Sequence, residues 1–214
     1  MIRLQNIGTA GLLATILFAG ATACAAELAD IAMQHGSGDP VAGKFESGLC
    51  KGCHGAEGIG FVELIPNLAG QNSGYTAKQM RDFQSGARTH QIMSAISRSV
   101  TATELADISA YFAGLRIMQG NGSGANPFAE KLFHNGDPAR GIPACAGCHG
   151  EKGKIPVKAS YPVIGGQHAE YLRVQLFHFR GGDRGNSPDG MMNRAAKNLT
   201  DAEIESLSDY LSGL

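Results

Sequence analysis

One five-residue pattern occurs twice in the chain, and it limits the possible folds more than any other feature. Cys50-Lys-Gly-Cys53-His54 returns as Cys145-Ala-Gly-Cys148-His149, displaced by 95 residues. A second block, Leu68-Ala-Gly-Gln71 with Tyr75, Gln79, Phe83, Gly86 and Arg88, is displaced by 96. Its second copy is Ile164-Gly-Gly-Gln167 with Tyr171, Gln175, Phe179, Gly182 and Arg184. A third block, Thr101 to Leu115, returns displaced by 99 as Thr200 to Leu214. Three blocks in one order at nearly constant offset make the chain a tandem duplication of one domain.

Each copy predicts helices and little else. Thr101 with Glu104, and Thr200 with Glu203, form capping-box pairs at the start of a closing helix. Apolar residues follow at helical spacing: Leu105, Ile108, Phe112 and Leu115, then Ile204, Leu207, Leu211 and Leu214. Middle helices are predicted over Thr76 to Gln84 and Ala169 to Phe179. Others lie before the cysteines, around Val41 to Leu49 and Phe128 to His134. Thirty glycines favour short helices joined by turns over a long bundle. The class is all-α, with domains over residues 27–118 and 127–214. The Gly-, Asn- and Ser-rich stretch 119–126 reads as a flexible linker.

The first 26 residues read as an export signal. Arg3 gives a positive start, Gly8 to Gly20 is uncharged and mostly apolar, and Ala21-Thr22-Ala23-Cys24-Ala25-Ala26 suits a signal peptidase. The apolar part is short for the ~20 residues of a bilayer span, which argues against a membrane anchor, and Ala21 is a poor match to a lipoprotein site at Cys24. Removing the signal leaves four cysteines, all within the repeated motifs. A net charge of −1 argues against a nucleic-acid binder, which needs a basic face.

Cys-x-x-Cys-His is the attachment signature of c-type haem. Two thiols add to the porphyrin vinyl groups, and the adjacent histidine, His54 or His149, becomes the proximal iron ligand. A thioredoxin-like pair leaves both histidines unexplained and lacks a βαβ pattern. A zinc site on four cysteines would tie together two units that each look complete, and disulfides within such pairs are strained. The chain is therefore expected to bind two covalent haem c groups.

A second axial ligand is expected on a loop before each closing helix, and methionine raises the potential relative to a second histidine. Met93 lies 18 residues before Tyr111, and Met192 lies 18 before Tyr210. Met191 competes with Met192, and register alone selects between them. Met80 and Met118 read as core packing. His90 has no match in the second copy, and His168 and His178 fall opposite Asn72 and Asp82; these two read as surface or propionate-side residues. Pro66 and Pro162 follow the attachment motifs. Each is either a rigid carbonyl acceptor for the proximal histidine N–H or an ordinary loop proline. The interval from histidine to methionine is 39 residues in the first copy and 43 in the second, with three of the extra residues falling in Arg184 to Met191.

At these residues the sequence resembles the dihaem cytochrome c4 family: two attachment motifs, Pro-x-x-x-Gly-Gln at Pro66 to Gln71 and Pro162 to Gln167, the Tyr75 and Tyr171 helices, the methionines and the closing helices. The resemblance runs from about Asp39 to the C-terminus. It implies two class I cytochrome c domains related by a pseudo-twofold axis, with haem propionates facing each other near Tyr75 and Tyr171. Pro66 and Pro162 would then bond the proximal histidines. It further implies a periplasmic electron carrier, at times peripherally membrane-associated, between a quinol-oxidising complex and a terminal oxidase. The alternative is the haem subunit of a flavocytochrome-type dehydrogenase. Lys152, Lys154 and Lys158 form the one local basic cluster, either a solvated loop or a docking patch.

Overall fold

The computed structural model describes residues 37–214, so the predicted export signal over 1–26 lies outside the described residues. The first half runs α1 (Pro40–Glu46), α2 (Gly48–His54), α3 (Ser73–Ser85), α4 (Met93–Ser97) and α5 (Ala102–Gly114). The second repeats that order as α6 (Pro127–Asn135), α7 (Ala146–His149), α8 (Ala169–Gly181), α9 (Met191–Ala196) and α10 (Asp201–Gly213). No strand forms among the described residues; one isolated bridge joins Asp137 and Ile142.

Both predicted capping boxes form: Thr101 and Thr200 accept from the backbone of Glu104 and Glu203, whose carboxylates accept in return. The closing helices are the hubs of their halves. α1 and α3 pack on α5, while α6 and α8 pack on α10. Phe112 is fully buried in the first core, and Phe133 and Ile204 in the second.

Three expectations change. The helix predicted over Val41 to Leu49 breaks at Ser47, which is fully buried, and α2 restarts one residue later. The methionines expected on loops sit at the starts of short helices, α4 and α9, where an upstream side chain accepts each methionine's N–H. The Met93 N–H donates to His90 Nδ1 at 3.3 Å and the Met192 N–H to Ser187 Oγ at 3.1 Å. The stretch 119–126, flexible by composition, is pinned on the last helix: Gly120 and Gly122 donate to the carbonyls of Leu214 and Gly213. A Cβ on Gly213 would stand 1.6 Å from the Ser123 oxygen, so the segments touch backbone to backbone.

The second closing helix carries one interaction the first lacks. Arg140 grips both carboxylate oxygens of buried Glu203. Arg140 holds the Glu203 carboxyl below the ordinary glutamate range, outweighing the upward push of burial. A carboxyl depressed in the folded state adds stability above its unfolded pKa, and that stability is lost as pH falls through the folded value. Glu203→Gln is therefore expected to lower the thermal midpoint at pH 7, with the gap closing below about pH 4. Thermal scans across pH check this; a gap that persists in acid would mean packing, not charge, is what the substitution removes.

Candidate cofactor site

The attachment motifs end α2 and α7, and both histidines are buried, His54 at 7% and His149 at 6% exposure. His54 Nδ1 lies 2.7 Å from the Pro66 carbonyl, and His149 Nδ1 lies 2.9 Å from that of Pro162. A carbonyl only accepts, so each Nδ1 carries the proton and each Nε2 keeps its lone pair. Burial pushes both imidazoles below their ordinary pKa, against the opposing effect of the carbonyl. They therefore stay neutral and able to coordinate near pH 7.

All four thiols of Cys50, Cys53, Cys145 and Cys148 are unbridged. Burial pushes Cys145 up to about 11 and raises Cys50 as well. A reactive dithiol needs the reverse, a thiol depressed by nearby positive charge. Nor do the pairs meet: among the described residues no three His, Cys, Asp or Glu side chains are placed to hold a metal ion together.

A mainly apolar cavity of about 1230 Å³ runs through both halves. It exceeds the roughly 300–1,000 Å³ of an ordinary ligand pocket. His54 and Met93 line it on one side, and His149, Met191 and Met192 on the other; Pro66, Pro162, Tyr75 and Tyr171 line it as well. Met192 also lines a smaller void of about 50 Å³ with His149 and Cys145, where Met191 takes no part. Met192, not Met191, packs against the second core. Met118 is buried at 1% exposure, as core packing requires, but Met80 stands on the cavity wall.

Where the halves meet, the repeated residues cross over. Arg88 donates to Gln79 of its own half and to Tyr171 and Gln175 of the other, at 2.7 to 3.1 Å. Arg184 mirrors it, donating to Gln175, then to Tyr75 and Gln79 across the seam. Burial pushes the Tyr171 phenol up, but Arg88 and Arg184 outweigh it and hold it below its ordinary range. Neither guanidinium meets a carboxylate among the described residues. Two cations sharing glutamine oxygens, with Arg184 only 7% exposed, call for an anionic partner. The buried Thr76 hydroxyl, also on the cavity wall, has no partner either. An apolar group bearing carboxylates suits this lining, and haem is such a group.

Other seam contacts were not legible as such. Gln71 brackets residue 163, donating to its carbonyl at 2.9 Å and accepting from its N–H at 2.8 Å. Gln167 does the same to residue 67, at 3.0 and 2.8 Å. Asn72 donates to the Tyr161 carbonyl. His168, expected at the surface or beside a propionate, instead bonds the Gly60 carbonyl at 3.1 Å across the seam. Recurrence of both glutamines was the one available signal.

The cytochrome c family matches residues 129–214. Cytochrome c4 of Thiocapsa roseopersicina is 40% identical over 83% of this chain and 93% of its own. The chain belongs to the cytochrome c4 family. The crystal structure of reduced recombinant cytochrome c4 from Pseudomonas stutzeri superposes with a TM-score of 0.77 at 35% identity, covering 83% of this chain and 100% of that one. A protein named thiosulfate dehydrogenase electron acceptor, from Stutzerimonas stutzeri, is 34% identical over 77% of this chain and 78% of its own. The fold is that of two class I cytochrome c domains. The protein carries two covalently bound haem c groups and transfers electrons; it is not an enzyme.

Proposed function

We propose that the protein is a periplasmic electron carrier with His54 and Met93 as axial ligands in the first half, and His149 and Met192 in the second. The observation that carries this is the pair of buried histidines, each with Nδ1–H committed to a proline carbonyl and Nε2 left to coordinate. Cys50, Cys53, Cys145 and Cys148 would hold the two haems as thioethers. Bound there, haem supplies an iron that alternates between ferric and ferrous states. Pro66 and Pro162 fix the imidazole planes. Arg88, Arg184, Tyr75, Tyr171 and the Thr76 hydroxyl offer positive charge and donors to the carboxylates, and the apolar lining keeps water away.

Met192 is preferred to Met191 because it packs with the second core and shares a void with His149. Family resemblance supports a quinol-oxidising complex as donor and a terminal oxidase as acceptor. The relative named as a thiosulfate dehydrogenase electron acceptor favours a dehydrogenase as a second donor class. Among the described residues no helix is long and apolar enough to cross a membrane.

The docking face of the second haem is the loop carrying Lys152, Lys154 and Lys158, where Ile155 and Val157 are exposed at 75% and 63%. An apolar centre with a charged rim is the usual build of an encounter surface. Lys158 lies over the Tyr161 ring, which stands 6.5 Å from that of His149. Replacing all three lysines with Gln is expected to slow oxidation of the ferrous protein by oxidase-containing membranes several-fold at about 10 mM ionic strength. The difference should fade near 0.5 M. Equal rates at low salt would discard the patch. A flavoprotein retained through purification would replace the carrier reading with that of a dehydrogenase subunit.

A further inference from the structure

We propose that the loop delivering Met192 is latched to the opposite half by Lys78 and Asp82, which makes both of them positioning residues for the second haem. The proposal rests on Met192 being an axial ligand. The three extra residues of the second copy fall between Arg184 and Met191, and they do not simply bulge into solvent. Asn186 engages its whole side-chain amide and its carbonyl: its Oδ1 accepts from Arg184 Nε at 2.9 Å. Its Nδ2 donates across the seam to Gln79 Oε1 at 3.0 Å and to Asp82 Oδ2 at 2.5 Å. Its carbonyl accepts from Lys78 Nζ at 2.6 Å, and Lys78 is itself paired with Asp82. The next residue, Ser187, accepts the N–H of Met192. A short chain of contacts therefore runs from α3 of the first half to the sulfur-bearing residue of the second.

Among the described residues no equivalent latch holds Met93. The α8 positions matching Lys78 and Asp82 are Val174 and His178, which cannot form that ion pair, and the shorter loop Thr89 to Ile92 has no asparagine. The latch is one-sided, and it is built around the only large departure from strict duplication near the ligands. Between latch and methionine the backbone turns through left-handed Asp189 (φ 50°) and Gly190 (φ 64°). A non-glycine residue in that region holds only where its surroundings fix it.

The test uses imidazole, which competes with methionine sulfur for ferric iron, on the full dihaem protein. Lys78→Met and Asn186→Ala should each let imidazole displace the sulfur of the second haem at about tenfold lower concentration, the factor expected for loss of one charge-assisted hydrogen bond. The first haem should titrate unchanged, and Met192→Ala identifies which charge-transfer band is which. Asp82→Asn keeps an acceptor and should recover most of what Asp82→Ala loses. The double variant Lys78→Met with Asn186→Ala should be no worse than the stronger single, since both open one latch. Lys78 is a quarter exposed, so its replacement leaves the core intact even if Asn186→Ala loads haem poorly. Equal shifts at both haems, or none at either, overturn the latch. Retention of both charge-transfer bands in Met192→Ala overturns the ligand assignment beneath it.

Discussion

Met192→Ala will remove the sulfur-to-iron charge-transfer band of one haem and leave the other intact. Its potential should fall by of the order of 0.1 V or more, within the roughly 0.8 V span that axial ligands command. Met191→Ala should change neither quantity appreciably, although the two residues are adjacent and both reach the large cavity. The difference follows from packing: α9 places Met192 against the second core, beside Cys145 and Leu176, and a neighbour cannot take its place without rotating that helix. Spectra and potentiometry of the two single variants decide it. Loss of the band in Met191→Ala would move the register by one residue and reassign the ligand.

Gly43→Ala will cost the protein about 3 kcal/mol, at the upper end of what a single added methyl does in a packed interior. α1 crosses α5 at this glycine, and a Cβ there would lie 2.0 Å from the Asp107 oxygen and 2.3 Å from its carbonyl carbon. No flexible side chain stands in the way to yield; the obstacle is backbone, so the helices must separate. Gly48→Ala is the matched control, with nothing within 4 Å of the new methyl. Denaturant unfolding followed at the haem absorbance should show an early transition for Gly43→Ala and none for Gly48→Ala. Equal midpoints would show that the crossing yields freely.

What the sequence disclosed depended on whether the interaction was local. The closing helices were legible because Thr101 and Glu104, like Thr200 and Glu203, cap within one turn and apolar residues follow at fixed spacing. The proline acceptors were half legible, since their distance from the histidine is short but the loop path decides the contact. The short helices at Met93 and Met191 were missed because neither starts with a capping side chain at its N-cap, Ile92 or Gly190, and a Pro-Asp-Gly turn disguises the second. The break falls at Ser47, fully buried between α1 and α2, and no local signal in the sequence marks it. His168 was misplaced for another reason. It stands at the repeat position of Asn72 without sharing its identity, yet both donate an N–H to a carbonyl of the other half. Comparing letters concealed a common chemistry.

The glutamine brackets bear on how the two halves could have drifted apart. Gln71 and Gln167 grip peptide groups, and a peptide group is the same whatever residue carries it. The gripped positions are already unlike, Asn67 in one copy and Val163 in the other. A duplicated gene joined in this way can accept substitutions in one half without a matching change in its twin. Specialisation of the two redox centres then needs no renegotiation of the joint that keeps them side by side.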